Sequence, residues 1–187
     1  MHSEVVAGCS SGGEILIAQT TFVEIVCNRN DGQSRFRIHY KGKREVNVKP
    51  GHFKSLQTTN DHPLLLQYLE PSETIYLSSR VHDKRQFTSL LEDAAREHFE
   101  GWRSLYAYIN PEFTNRLDEF LDGGFGILME APISFSARVL SIAQSVGINL
   151  HSRPGKARVM RLQLLLMDEY FTIAESFRIS RIDESST

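Results

Sequence analysis

The stretch EILIAQTTFVEIVC at residues 14–27, followed by SRFRIHYKGKREVNV at 34–48, decides the fold class. The first segment is rich in β-branched residues and carries apolar side chains on both alternating faces, which is typical of a central strand covered on two sides. In the second segment, Phe36, Ile38 and Tyr40 alternate with polar side chains. Because the Asn-Asp-Gly run at 30–32 favours a turn, the two segments predict a long antiparallel hairpin.

The middle of the chain has the pattern of helices. Asp83 is a suitable N-cap, and after it apolar side chains recur at the 3.6-residue period as far as Trp102. An asparagine followed by proline, and two glycines further on, predict a second helix within 110–124. A third helix is predicted over 134–147, with Ser134 as its cap.

The last third of the chain returns to strand patterns. A second hairpin is predicted from 157–167 and 170–181, after a turn at 153–156, and a single strand is predicted earlier at 74–77. Strands and helices are therefore segregated along the chain rather than alternating. This order predicts an α+β fold: a mainly antiparallel sheet of about five strands, made of two hairpins plus one strand, with about three helices packed on one face.

The composition is that of an ordinary globular domain. The chain has 187 residues, of which 41% are hydrophobic and 24% charged, with a formal charge of −2. These values exclude collagen-like, disulfide-rich and wholly disordered chains, and no run of about 18 apolar residues predicts a membrane span. We expect one α+β domain over 14–182, between a flexible tail at 1–13 and a frayed terminus at 183–187.

The two cysteines, Cys9 and Cys27, match no zinc or redox spacing. We interpret both as reduced thiols, which indicates a cytoplasmic protein. The run Val6-Ala7-Gly8-Cys9 resembles a lipoprotein processing site, but the residues before it lack the basic and apolar regions of a signal peptide. A true start upstream of this run stays open.

Motifs that specify an enzyme class are missing from the sequence. It contains no phosphate loop, dinucleotide fingerprint, nucleophile elbow, zinc-protease or kinase motif. None of the seven histidines lies four residues from another or beside a cysteine pair, so we predict no metal and no cofactor. The loop Asp61-His62-Pro63, together with Glu70, is a candidate for general acid–base chemistry if the fold brings these groups to a cleft.

The charge of the chain is unevenly distributed. Residues 28–56 carry eight Lys or Arg and two acids, whereas residues 92–130 carry nine acids and three Arg. The basic block contains five side chains that would line one face of the second predicted strand: Arg35, Arg37, His39, Lys41 and Lys43. This stripe predicts a solvated edge strand guarded by charge, a surface for a protein or an anionic ligand, or a nucleic-acid surface.

Two further details bear on these alternatives. Glu24, on the neighbouring strand, is placed to pair with Arg37. No aromatic residues interleave with the cations along the stripe, which disfavours a platform for single-stranded nucleic acid. In the segment GWRSLYAY at 101–108, Trp102 is interpreted as a core residue, and Arg103 and Tyr108 as surface candidates for a ligand or partner.

Three functions stay open at this point. The preferred one is a soluble, non-catalytic protein-interaction or regulatory domain, with self-association as one form of it. The first alternative is a protein or enzyme that binds a small or anionic molecule in a pocket between sheet and helices, using His62, Glu70 or Trp102. The second is nucleic-acid binding through the basic second strand. No membrane partner is expected.

Overall fold

The computed structural model describes residues 12–29, 32–155 and 160–182, with the backbone alone at position 29. The chain divides into two compact units, the first formed by Met1–Leu65 and Arg161–Thr187 and the second by Leu66–Met160. The second unit is thus inserted into the sequence of the first. The predicted α+β class is confirmed, and the single domain over 14–182 stays a prediction.

The described residues form twelve strands and four α-helices. In chain order these are β1 (Gly13–Ala18), β2 (Phe22–Arg29), β3 (Gly32–Lys41), β4 (Glu45–Asn47), β5 (Gly51–Phe53), β6 (Gln57–Thr59), α1 (Leu66–Leu69), β7 (Ser72–Leu77), α2 (Lys84–His98), α3 (Leu117–Gly123), β8 (Gly126–Pro132), α4 (Ile133–Ser145), β9 (Leu150–Pro154), β10 (Gln163–Met167), β11 (Tyr170–Ala174) and β12 (Ser176–Ile182). Short 3-10 helices lie at Pro63–Leu65, Leu105–Ala107 and Pro111–Phe113. The predicted tails at 1–13 and 183–187 lie largely outside the described residues.

The first unit contains two antiparallel sheets. The five-stranded sheet has the order β12-β3-β2-β1-β5, and the four-stranded sheet has the order β4-β11-β10-β6. The sequence left open whether the two predicted hairpins share one sheet. The second hairpin, β10–β11, belongs to the four-stranded sheet, and only β12 joins the first hairpin, by pairing with β3 along the whole length of β12. β3 therefore lies inside the sheet, and the edge-strand interpretation of the basic stripe is wrong.

Two of the predicted strands are each divided in the structure. Residues 14–27 form β1 and β2, which turn through the polar residues after Ala18, where the Gln19 N–H donates to the Phe22 carbonyl at 2.9 Å. Residues 170–181 form β11 and β12, which join different sheets. The break is at Glu175, whose N–H donates to the Lys41 carbonyl at 3.0 Å. A two-faced apolar run therefore indicated a hairpin here, not one doubly covered strand.

The core of the first unit is built by both of its sheets. The side chains that pack together include Ile15, Val23, Ile25, Cys27, Phe36, Ile38, Tyr40, Phe53, Leu165, Met167 and Phe177. Cys27 is fully buried and disulfide-bonded. The reduced thiol predicted for Cys27 is therefore wrong, while the other cysteine of the chain, Cys9, lies outside the described residues, as does the lipoprotein-like run at 6–9.

The second unit packs α2 and α4 with a three-stranded antiparallel sheet of order β8-β7-β9. The helices thus accompany this smaller sheet. Its core contains Ile75, Leu77, Phe87, Leu91, Phe99, Leu105, Tyr108, Leu128, Met129, Phe135 and Val139. The 153–156 turn predicted from the sequence begins inside β9, and the ambiguous segment after Gly124 forms β8.

Local signals set most of the helix ends in this unit. Asp83 caps α2, since its carboxylate accepts the Gln86 N–H at 2.9 Å, as predicted. The apolar stripe that continues to Trp102 is not helical beyond His98, because Glu100 and Gly101 take positive φ angles of 51° and 78° and turn the chain away.

The start of α4 departs from the prediction. The N-cap position is Pro132, so the cap predicted at Ser134 is wrong. Ser134 lies inside the first turn, and its N–H donates to the Glu70 carboxylate at 3.0 Å. A carboxylate from outside the helix thus satisfies the Ser134 amide, one of the first-turn amides that have no acceptor within the helix.

Candidate functional site

The outward surface of the five-stranded sheet carries the basic stripe. In β3, Phe36, Ile38 and Tyr40 point into the core, so the alternate residues point outward. The same alternation, with the core residues Val23 and Ile25 on β2 and Phe177 on β12, places three further strand positions on this surface. We call the following set the basic face: Phe22, Glu24, Arg35, Arg37, His39, Lys41 and Arg178.

The centre of the basic face is Glu24, which accepts hydrogen bonds from two arginines. Arg37 donates through Nε and one terminal nitrogen to Oε1 at 2.9 and 2.5 Å, and Arg35 donates to Oε2 at 2.8 Å. The Glu24 side chain is 4% exposed, while each arginine side chain is 41% exposed. The pairing of Glu24 with Arg37 expected from the sequence is confirmed, and Arg35 adds a second partner.

The charge state of Glu24 follows from this arrangement. Burial alone would raise the pKa of its carboxyl group, but the hydrogen bonds and positive charges of Arg37 and Arg35 outweigh burial and hold the pKa below its usual value. Glu24 is therefore a carboxylate at neutral pH. It fixes both guanidinium groups in place while leaving their outer edges open to solvent.

An aromatic side chain lies among the cations. The Arg37 guanidinium lies 4.6 Å from the centre of the Phe22 ring. The His39 ring, directly opposite Phe22 in the register, is 5.7 Å from the same centre. The sequence did not reveal this contact, because Phe22 lies on the neighbouring strand and only the β2–β3 register brings it between the cations.

The lysine end of the basic stripe differs from the prediction. Lys41 is exposed at the end of β3, and Lys43 lies beyond it, so Lys43 does not share the strand face. In its place, β12 contributes Arg178, which is exposed and opposite His39 in the register. No local signal in the sequence links Arg178 with β3, because a strand pairing between the two ends of the chain depends on the tertiary fold.

The other predicted site residues are distributed over the two units. His62 belongs to the first unit, where its Nδ1 accepts the Leu64 N–H at 3.2 Å, and Glu70 belongs to the second. Trp102 is only half-buried, in the loop after α2, so its interpretation as a core residue is wrong. Tyr108 is 6% exposed and stacks on the Phe99 ring at 4.8 Å, so it is a core residue and not a surface candidate.

Arg103 is half-buried beside a shallow depression of about 240 Å³ in the second unit. Its walls come from the second half of α2 and the loop that follows: Glu92, Arg96, Gly101, Arg103, Ser104, Leu105 and Tyr106. The Tyr106 hydroxyl donates to Glu92 at 3.1 Å across it. Neither His62, Glu70 nor Trp102 lines this depression.

Within 12–29, 32–155 and 160–182, no group of three or more His, Cys, Asp or Glu side chains is placed to hold a metal ion. Among the helices of these ranges, none has both the length and the apolar character to cross a bilayer.

Comparisons with family models, with curated proteins and with solved structures found no match to this chain. The functional proposal therefore rests on the surfaces of this chain alone.

Proposed function

We propose that this protein is an interaction module that binds an acidic segment of a partner protein on the basic face. The observation that carries the proposal is the pair of arginines, Arg35 and Arg37, which the buried Glu24 holds in fixed positions with their outer edges exposed. Arginine is among the residues that contribute most to protein–protein binding energy.

Fixed guanidinium groups favour binding for an entropic reason. Ordering a long side chain at an interface costs about 0.5–1.5 kcal/mol. The hydrogen bonds to Glu24 already order the side chains of Arg35 and Arg37. A partner carboxylate would therefore bind guanidinium donors that are already in position. The two residues are spaced by about 6.6–6.8 Å along β3. This spacing matches acidic side chains at alternate positions of an extended partner segment that lies over the sheet and runs along β3.

The chemistry of the basic face favours a protein over a nucleic acid. Four cationic side chains stand with one carboxylate, and the Phe22 ring is covered by Arg37 rather than left open to stack with a base. Ile17, directly opposite Glu24 in the register, adds apolar surface beside the cations. A mixture of arginine, aromatic and aliphatic groups is typical of protein interfaces, whereas nucleic-acid surfaces depend on denser positive charge.

A second copy of the chain is one partner that fits this chemistry. The block at 92–130, with nine acids and three arginines, lies in the second unit and includes the exposed Asp93, Glu97 and Glu119. A basic face on one copy and an acidic block on another would give a head-to-tail contact. Sedimentation over a range of concentrations and salt tests this form: a salt-sensitive rise in mass supports it, and a monomer throughout restricts the partner to another protein.

The disulfide at Cys27 bears on the compartment in which this binding would occur. The cytoplasmic location predicted from the sequence depended on reduced thiols, and the disulfide at Cys27 removes that basis. Disulfides persist mainly in oxidising compartments. We therefore place the interaction outside a reducing cytoplasm, as part of the same proposal.

The experiment measures binding of a fluorescent peptide with glutamates at alternate positions. Fluorescence anisotropy should show binding to the wild-type protein that weakens as salt rises. Arg37→Glu should abolish binding. Arg178→Glu, which leaves the Glu24 pairs intact, should weaken it about 5-fold or more, the factor that corresponds to a loss of about 1 kcal/mol. Lys54→Glu makes the same charge change off the basic face and should bind as the wild type does.

Two results would overturn this function. One is peptide binding that survives both Arg37→Glu and Arg178→Glu, which would remove the basic face from the interaction. The other is tighter binding of an oligothymidylate of equal charge than of the peptide, which would assign the face to single-stranded nucleic acid. Circular dichroism of each variant establishes that a loss of binding is not a loss of folding.

A further inference from the structure

A serine and a histidine meet in the second unit, away from the basic face. The Oγ of Ser134, in the first turn of α4, lies 3.1 Å from Nε2 of His98, the last residue of α2. The Glu70 carboxylate, which follows α1, accepts the Ser134 N–H at 3.0 Å. All three side chains are half-buried. They are therefore held by packing and can still be reached from solvent.

The surroundings of His98 favour its neutral form. Its ring contacts Phe99 in an edge-on arrangement at 4.8 Å and Phe135 at 5.4 Å. Burial lowers the pKa of His98, and the charge of Arg138 acts in the same direction, while the Glu70 carboxylate opposes both. A neutral imidazole in hydrogen-bond reach of a hydroxyl is the arrangement that general-base activation of a serine requires.

Two neighbours on α4 complete the arrangement. Arg138 is four residues after Ser134 and therefore lies on the same face of the helix, where its guanidinium also pairs with Glu97. A carbonyl oxygen attacked by Ser134 would thus have a positive charge on the same face of the helix to favour its developing negative charge. Ile133, next to Ser134, is 44% exposed and offers apolar surface to a short acyl chain.

We propose that Ser134 is a nucleophile, activated by His98, that accepts the acyl group of small activated esters. In this step Ser134 Oγ forms a bond with the carbonyl carbon and passes its proton to His98 Nε2. The bond from the carbonyl carbon to the leaving oxygen then breaks, and that oxygen takes the proton from His98. Water attacks the acyl-serine in the same way, which releases the carboxylic acid and restores the serine.

Glu70 has a positioning role in this scheme. Its bond to the Ser134 amide fixes the first turn of α4, so the hydroxyl stays directed at His98. The site is independent of the basic face, since it belongs to the other unit and uses other residues. Failure of one proposal therefore leaves the other standing.

The test combines covalent labelling with turnover. A fluorophosphonate probe, which reacts with activated serines, should add once to the wild-type protein, and peptide mass spectrometry should place the adduct on Ser134. Hydrolysis of p-nitrophenyl acetate should show a burst followed by slow turnover. Ser134→Ala should abolish both signals, and His98→Asn should slow labelling by about 100-fold or more, the usual contribution of a general base.

A serine on the same helix provides the matched control. Ser141 lies two turns after Ser134 and is exposed, so Ser141→Ala should label and turn over as the wild type does. Absence of any adduct on the folded wild-type protein would overturn the proposal and assign the Ser134–His98 contact a structural role only. Labelling that is spread over several serines, or that His98→Asn leaves unchanged, would do the same.

Discussion

The pairing of Glu24 with its two arginines makes a quantitative prediction about stability. Arg37 donates two hydrogen bonds to the carboxylate and Arg35 donates one. A hydrogen bond to a charged group contributes about 1.5–3 kcal/mol when it is buried. Each arginine side chain is 41% exposed, so water replaces a broken bond. The contribution of each hydrogen bond is therefore smaller, closer to the roughly 0.2–1 kcal/mol that is typical of exposed ion pairs. We expect coupling free energies of about 1–2 kcal/mol for Glu24 with Arg37 and about half of that with Arg35.

Double-mutant cycles measure these coupling energies. The single variants Glu24→Gln, Arg37→Met and Arg35→Met, with the two corresponding double variants, are unfolded in urea and followed by far-ultraviolet circular dichroism. Glu14→Gln is the control, since Glu14 is exposed on the same sheet and should change the unfolding free energy by no more than about 0.5 kcal/mol.

Two outcomes would refute the reasoning. A coupling with Arg37 within about 0.3 kcal/mol of zero would mean that the pairing does not stabilise the sheet. A larger coupling with Arg35 than with Arg37 would contradict the two-to-one count of bonds.

The pH dependence has a fixed sign: because the pKa of Glu24 is lowered on folding, its stabilisation is complete above about pH 4.3 and is lost as the pH falls.

The remaining predictions concern three other positions. Asp168→Asn should lower the unfolding free energy at pH 7 by about 1 kcal/mol, because the carboxylate accepts two backbone N–H groups and a hydroxyl from the loop between β5 and β6. That difference should shrink below about pH 4, since a backbone hydrogen bond from this loop holds the pKa of Asp168 below its usual value. Gly124→Ala should cost at least about 1–2 kcal/mol in urea unfolding, since φ is +72° and the added Cβ would lie 2.6 Å from a backbone nitrogen, whereas Gly123→Ala meets nothing within 4 Å and should be nearly neutral. Thiol titration of the unreduced, denatured protein should find Cys27 blocked until a reductant is added; a free thiol there before reduction would contradict the structure.

Local patterns predicted the elements whose signals are local. Asp83 and the apolar period after it predicted the start of α2, because a cap and one helix face are encoded within a few turns. The period of two along β3 likewise placed Arg35, Arg37 and His39 on one face. The end of α2 was missed because the apolar residues after His98 contribute to the core from a loop. A periodic pattern does not distinguish apolar residues in a loop from apolar residues on a helix.

The parts that were missed depend on pairings between distant segments. Arg178 joins the basic face only through the β3–β12 register, and Phe22 through the register of β2 with β3. His98 and Ser134 lie 36 residues apart on separate helices. No short-range pattern links them, and the sequence grouped Glu70 with His62 instead. Side chains that meet across a core are brought together by packing, which a reading along the chain does not capture.

The insertion of the second unit has a consequence for synthesis. A ribosome releases the N-terminal strands first, then the whole of Leu66–Met160, and β10, β11 and β12 last. At that point the second unit has all of its own strands and helices, while the first unit still lacks β12, which pairs with β3, and β10, which pairs with β6. The edge of β3 that pairs with β12 therefore stays unpaired until Ser176–Ile182 has been made. A chain truncated before Gln163 would expose that edge permanently, so β10, β11 and β12 protect the strands that are made first from aggregation.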